Sequence, residues 1–126
     1  NSIMRNHSCV CERSVVHCFT GSKQALKTYL DLGCYIGITG WICDEKRGEN
    51  LREIIGYAPL DRLMIETDAP YLTPHKKIVQ PQLARKHRNE PWTLPYTAKA
   101  LAKATGTELS VLIEQTTANA EQFFQL

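Results

Sequence analysis

Two acidic residues and one histidine follow short apolar runs, at the point where a side chain would leave the hydrophobic layer of a sheet. Glu66 and Asp68 close one run, and Ala69-Pro70 ends it. His17 closes another run. Ligands of parallel α/β proteins lie at the carboxyl ends of the strands, and imidazole with carboxylate is a usual ligand mixture for a hydrolytic metal. The pattern therefore predicts part of a metal site.

Each of these three residues also has a simpler interpretation. From its position alone, His17 is better explained by packing under a loop, with a backbone carbonyl as its partner. Asp68 is a candidate N-cap for the short turn that follows, worth about 1 kcal/mol. Alternation along a strand puts Glu66 and Asp68 on one face and Thr67 on the other. Glu66 is then either close to a cation or in a buried ion pair with a basic residue of a neighbouring strand.

Further candidates lie in two loops. Asn89 and Glu90 precede a proline, which is typical of a helix start capped by one of the two. Arg88 ends a basic run over 85–88, which is either a solvated charge run or a phosphate contact beside a metal site. Trp41 offers a face for stacking on a base, and core packing explains it equally well.

The elements that position these residues alternate between strand and helix. Apolar runs predict strands over 14–19, 34–39 and 63–67. The first helix starts at the N-cap Ser22 and ends near Gly33. Further helical stripes cover 51–58, 94–102, 109–116 and 120–124, Gly106 separates two of them, and residues 70–90 form a long candidate functional loop. This order predicts an α/β fold with a parallel sheet and right-handed crossovers.

Composition limits the size and class of the protein. With 126 residues, 43% of them hydrophobic, the chain has room for one modest domain, and a net charge of +2 is too small to indicate nucleic acid by itself. No apolar stretch reaches the roughly 18–20 residues of a membrane span, so we expect no membrane association and a cytoplasmic location. Five cysteines, an odd number, favour reduced thiols, and Cys9-Val10-Cys11 lacks a second ligand pair for zinc.

Three familiar catalytic motifs are absent from the sequence. It has no glycine-rich phosphate loop, no Gly-x-Ser-x-Gly and no His-Glu-x-x-His. Their absence removes P-loop nucleotidases, serine hydrolases and zincin proteases from consideration.

Four motifs taken together resemble the TatD family of metal-dependent deoxyribonucleases. They are Val16–Gly21 (VHCFTG), Tyr35–Gly40 (YIGITG), Ile65–Pro70 (IETDAP) and Arg88–Pro91 (RNEP). The resemblance covers about residues 14–126 and leaves 1–13 unassigned. It implies a TIM (β/α)8 barrel of the amidohydrolase-like metal-dependent hydrolases, of which this single partial domain supplies the C-terminal portion, about three βα units.

The resemblance also implies roles for individual residues. His17 becomes a metal ligand at the sixth strand. Asp68 becomes the ligand at the eighth strand and the catalytic group that handles the proton of the attacking water. Glu66 becomes an acid that contacts the metal ligands rather than the metal itself. Asn89 and Glu90 belong to a loop that closes over the site. Two divalent ions, with Mg, Mn and Zn not distinguished, would activate the water that attacks phosphorus in line.

One large departure from the family pattern concerns the remaining ligands. The His-x-His of the first strand, a bridging glutamate and a further histidine lie upstream of the matched region in the family. His7 stands alone in residues 1–13 and replaces none of them. Since two ligands of about six rarely hold a metal pair, we expect the chain to be the last three strands of a barrel and to be inactive alone.

For the intact protein these features predict an exonuclease that acts on DNA, single-stranded DNA included, with an oligomeric state that the sequence does not define. Two alternatives stay open at this point. The same ligands would serve a metal-dependent hydrolase of small esters or amides. A catalytically inactive remnant or interaction module is the other alternative.

Overall fold

Three short parallel strands form one sheet, in a computed structural model that describes residues 8–83 and 88–126. The strands lie in the order β1 (Val15–Val16), β2 (Tyr35–Ile38) and β3 (Leu63–Ile65). Both pairs are parallel, as the sequence predicts. The helices are α1 (Ser8–Cys11), α2 (Lys23–Asp31), α3 (Glu49–Ile54), α4 (Lys76–Val79), α5 (Leu94–Thr105) and α6 (Leu109–Phe124).

The outer strands are shorter than predicted. β1 stops at Val16 because the chain turns immediately, and Cys18 adopts a left-handed backbone with φ 50°. β3 stops at Ile65, although the amide of Glu66 still donates to the carbonyl of Ile38 at 2.9 Å. The predicted ends at 19 and 67 were therefore wrong, and Asp68 lies beyond the strand.

The boundaries of α2 and α5 follow the local signals, whereas the stripe predicted over 51–58 forms α3 and a following 3-10 helix over Ile55–Tyr57. Ser22 caps α2, since its side chain accepts a hydrogen bond from the amide of Ala25 at 3.2 Å. Gly33, with φ 83°, lies one residue past the cap residue Leu32. Gly106, with φ 66°, ends α5. The stripes predicted over 109–116 and 120–124 form the single helix α6.

The segment 70–90 was predicted to be a loop, and that is only partly right. It contains α4 and a 3-10 helix over Gln80–Gln82. Val79 is fully buried, and Pro74 and Leu83 are buried as well, so a few apolar side chains anchor this largely exposed segment. Residues 84–87, which hold most of the predicted basic run, lie outside the described residues, as does His7.

The core lies between one face of the sheet and the C-terminal helices. Ile36 and Ile38 of β2 are fully buried and pack in one cluster with Leu101 of α5 and Leu112 of α6. Strand alternation therefore turns Gly37, between the two isoleucines, to the opposite face. The side chain of Asn119 in α6 donates to the carbonyls of Leu60 and Leu63, at 2.8 and 2.7 Å, which ties the helix to the start of β3.

Two further observations concern the cysteines and the possibility of a membrane-spanning helix. Cys11, Cys18, Cys34 and Cys43 form no disulfide bond in the described part of the chain, which agrees with the prediction of reduced thiols. Within residues 8–83 and 88–126, no helix has the length and apolar character needed to cross a membrane.

Candidate metal centre

His17 and Asp68 meet at the carboxyl ends of β1 and β3. The Nε2 atom of His17 lies 3.5 Å from Oδ1 of Asp68, although the two strands are separated by β2. The His17 side chain is 57% exposed and that of Asp68 is 35% exposed, so both face the rim of the sheet. An imidazole nitrogen and a carboxylate oxygen, both open to solvent at this edge, are suited to a shared cation.

Glu66 holds the other side of the imidazole ring. Its Oε1 atom lies 2.8 Å from Nδ1 of His17 and accepts a 2.7 Å hydrogen bond from the amide of Cys18. A carboxylate on one imidazole nitrogen fixes the ring and leaves the other nitrogen for a metal, which is the usual arrangement around metal-binding histidines. Carboxylates, and not the backbone carbonyl of the simpler interpretation, are therefore the partners of His17.

The two carboxylates also set the protonation of the histidine. The hydrogen bond and the charge of Glu66 raise the pKa of His17 above its ordinary value, and Asp68 raises the pKa further, while burial opposes both. The imidazole is thus favoured as a cation when no metal is bound. A metal ion at Nε2 would replace the proton, because only neutral imidazole coordinates.

Gly37 makes room for Glu66, a role that the sequence analysis missed. A Cβ atom at this glycine would lie 2.8 Å from Cδ of Glu66, closer than real side chains approach. The glycine stands inside β2, where glycine otherwise weakens a strand. A glycine in the middle of a buried strand was the available signal for a close approach by another group.

Asn89 fastens the turn that carries Asp68. Its amide donates to the carbonyl of Pro70 at 2.9 Å, and its side-chain Nδ2 donates to the carbonyl of Tyr71 at 2.8 Å. Its Oδ1 accepts hydrogen bonds from the hydroxyl of Thr93 at 2.8 Å and from the amide of Glu90 at 2.9 Å. The buried Asn89 side chain is therefore a clamp between two loops, rather than only a helix cap.

The other predicted residues lie around this clamp. Glu90 occupies the N-cap position of a 3-10 helix over Pro91–Thr93 without a side-chain cap hydrogen bond, and its Oε2 accepts from the indole of Trp92 at 2.7 Å. Arg88 is exposed beside Asn89. The structure thus places Glu90 and Arg88 on the loop that Asn89 fastens.

Trp41 is partly buried, and its ring is already engaged. It packs against the core, and its indole N–H donates to the carbonyl of Arg47 at 3.1 Å. The guanidinium of Arg47 lies 4.5 Å from the ring centroid. Packing against the core is therefore confirmed for one portion of Trp41, the remainder lines a surface cleft, and stacking on a base stays a prediction.

Two donor groups among the described residues lie close enough to belong to one candidate metal site. His17 Nε2 and the Asp68 carboxylate point to one position, while Glu66 is held by Nδ1 and the Cys18 amide. In the ranges 8–83 and 88–126, no group of three His, Cys, Asp or Glu side chains is arranged to hold an ion. The donor types fit a divalent hydrolytic metal, and further ligands have to come from outside these residues.

Comparison with known proteins assigns the family. Residues 1–125 match the family described as TatD related DNase. This chain belongs to the TatD family.

Curated TatD relatives carry a more specific name. A protein of Rahnella sp. named 3'-5' ssDNA/RNA exonuclease TatD is 49% identical over 112 residues, and the match covers 89% of this chain and 41% of the relative. A protein of Salmonella typhimurium with the same name is 44% identical over 113 residues, covering 90% of this chain and 42% of the relative. The chain thus spans about two fifths of the length of these relatives.

Solved structures of TatD proteins show the same fold. A TatD homolog from Escherichia coli superposes with a TM-score of 0.82 at 24% identity, over 99% of this chain and 45% of the homolog. A TatD family hydrolase from Entamoeba histolytica gives a TM-score of 0.73 at 24% identity, over 86% of this chain and 41% of the hydrolase. The three-stranded parallel sheet therefore has the fold of the matched part of these TatD proteins.

Proposed function

We propose that this chain supplies the C-terminal strands of a TatD-type barrel, within a polypeptide that hydrolyses single-stranded DNA or RNA from the 3′ end. The observation that supports this most directly is the 3.5 Å approach of His17 Nε2 to Asp68 Oδ1 across two strand ends. The names of the relatives support the substrate and the direction of hydrolysis.

In this proposal each described residue has a defined task. His17, through Nε2, and Asp68 hold divalent metal, and Glu66 keeps the imidazole oriented through Nδ1. The metal, when bound, supplies charge to stabilise the phosphate and lowers the pKa of an attacking water. Asp68 is partly exposed at the rim, where its carboxylate can accept the proton of that water.

The test uses the full polypeptide that contains this chain. We expect His17→Ala and Asp68→Asn each to lower kcat on a single-stranded oligonucleotide about a hundredfold or more, because each substitution removes a proposed metal ligand. The Asp68→Asn substitution also removes the proton acceptor. Metal content, measured by mass spectrometry of the purified protein, should fall in parallel. Asp31→Asn, on the exposed end of α2, is the matched control.

Two results would count against the assignment. Wild-type activity of either site variant in added Mg²⁺ would show that neither ligation nor proton transfer at that residue matters. A second comparison addresses the other hydrolase class, because the same ligands would serve small esters. Faster turnover of p-nitrophenyl acetate than of the oligonucleotide would assign the site to ester hydrolysis instead.

A further inference from the structure

A cleft of about 610 Å³ lies beside the turn that follows Asp68, with Pro70 and Tyr71 in its lining. One wall comes from Gly40–Arg47, after β2, and the other from Pro70–Ile78, after β3. Both segments follow strands at their carboxyl ends, and Pro70 is only two residues beyond Asp68. The volume is in the range of sites that hold a small organic group. A substrate bound at Asp68 would therefore extend into this cleft.

Tyr71 contributes an exposed aromatic side chain to the lining of the cleft, and hydrogen bonds hold its backbone. The Tyr71 residue is 69% exposed. Its amide donates to the carbonyl of Asp68 at 2.6 Å, and its carbonyl accepts from Nδ2 of Asn89 at 2.8 Å. The ring is thus attached to the same turn that carries the candidate metal ligand. Such a ring offers a stacking surface at low entropic cost.

The opposite wall supports a second flat surface. Arg47 lies over the Trp41 ring, donates a hydrogen bond from Nε to Oδ2 of Asp44 at 2.9 Å, and forms an ion pair with the same oxygen through Nη2 at 2.8 Å. Asp44 is therefore neutralised inside its own loop, and its pKa is lowered mainly by the backbone and side chain of Arg47. This side of the cleft therefore carries the Trp41 ring with the Arg47 guanidinium over it, and the Asp44 carboxylate is paired with Arg47.

The charge of the cleft favours an anion. Beyond the Asp44–Arg47 pair, three exposed lysines line the cleft, and the remaining acidic residue in its lining is Glu45. The lysines are Lys46, Lys76 and Lys77. Lysines beside aromatic rings are the combination by which proteins bind single-stranded nucleic acid without reading its sequence.

We infer that this cleft binds the nucleotide next to the scissile phosphate, with its base on Tyr71 and the flanking phosphates at Lys76 and Lys77. The inference rests on the proposed function, since it defines where the substrate of that site lies. A base on Tyr71 has to be unpaired, so the cleft selects single strands over duplexes. Tyr71, Lys76 and Lys77 are then specificity residues that no sequence motif indicated.

The experiment measures binding without turnover, on the full polypeptide in EDTA, by fluorescence anisotropy of a labelled single-stranded oligonucleotide. We expect Tyr71→Ala to weaken binding about tenfold, and Tyr71→Phe to retain it, because stacking needs the ring and not the hydroxyl. Tyr57→Ala is the matched control, since Tyr57 is 65% exposed and lies against Lys23 in a different groove.

Two companion measurements make the assignment specific. Two oligonucleotides are compared, one without a base at the last 3′ position and one without a base at the penultimate position. On one of the two, wild type and Tyr71→Ala should bind with equal affinity. The double variant Lys76→Gln/Lys77→Gln should reduce the slope of log affinity against log salt by about 1.4, from roughly 0.7 per phosphate contact on single strands.

The inference is overturned if Tyr71→Ala binds as tightly as wild type, or if Tyr57→Ala weakens binding equally. It is also overturned if the loss persists on both abasic oligonucleotides. Failure of the proposed function gives a different result. In that case the binding pattern holds as expected, but added Mg²⁺ or Mn²⁺ produces no hydrolysis by the wild-type protein.

Discussion

At the scale of single residues, the site depends on side chains that position His17 as much as on His17 itself. Glu66 reaches both the imidazole and the Cys18 amide, so one carboxylate fixes the ring and the turn that follows β1. Removal of such a supporting partner typically costs about 10- to 100-fold in metal affinity or activity. The residue that admits this carboxylate, Gly37, is therefore as informative a target as Glu66.

We expect Gly37→Ala to lower metal affinity and kcat of the full polypeptide by about tenfold or more. The added Cβ would occupy the space of the Glu66 carboxylate, which then has to leave Nδ1 of His17. Calorimetric metal titration and steady-state kinetics are the measurements. Gly56→Ala is the control, because its Cβ would meet nothing nearer than a carbonyl at 3.6 Å. Equal behaviour of the two variants would contradict the role of Gly37.

At the scale of elements, the chemistry depends on a contact between two loops. The turn after β3 carries Asp68 and Tyr71, and Asn89 fastens that turn from the segment that precedes α5. The α5 side of the clamp is secured in turn by the hydroxyl of Thr93. Asn89 therefore supports both the candidate metal ligand Asp68 and the proposed stacking residue Tyr71.

Asn89→Ala should destabilise the full polypeptide by about 1–3 kcal/mol, because the carbonyl of Tyr71 and the hydroxyl of Thr93 lose a buried partner. It should also lower kcat on the oligonucleotide, since the Asp68 turn is released. Urea unfolding and kinetics measure the two effects. Asn50→Ala removes an exposed hydrogen bond to Gly21 and is the control for loss of an asparagine. Wild-type kinetics in Asn89→Ala would show that the clamp serves folding alone.

The sequence predicted what depends on local patterns. The Ser22 cap and the end of α5 at Gly106 follow from neighbouring residues, and the parallel sheet follows from the alternation of strands and helices. The clamp of Asn89 on Tyr71 joins residues 18 positions apart, and no local signal encodes such a contact. No local signal showed the early end of β3 at Ile65 either, beyond which Asp68 lies 3.5 Å from His17 of another strand end.

The long segment after Asp68 shows the limit of composition-based reasoning. Its prolines and charges predicted a loop, yet α4 forms around the single buried side chain of Val79. Burial of one residue depends on what the rest of the fold leaves open, which periodicity over four residues cannot reveal. His17 and Asp68 could be predicted as candidate metal ligands because each follows an apolar run, which is a local signal in the sequence.

At the scale of the whole molecule, the sheet is the weak feature of the chain taken by itself. In the described sheet β1 and β3 each pair with β2 alone, so each has one edge with unpaired backbone groups. The TatD fold to which this sheet belongs is a barrel, in which such edges are closed by further strands. Unpaired parallel edges favour association with other chains.

The isolated 126-residue chain is therefore expected to associate or to unfold without a cooperative transition. If the chain belongs to a longer TatD-type polypeptide, as proposed, that polypeptide should melt in one steep step, because neighbouring strands would cover both edges. Circular dichroism melting and size-exclusion chromatography of the two proteins, at matched concentrations, make the comparison. A monomeric isolated chain with a sharp transition would mean that the core between the sheet and helices α5 and α6 suffices for folding. The barrel closure would then be needed for the remaining metal ligands and not for stability.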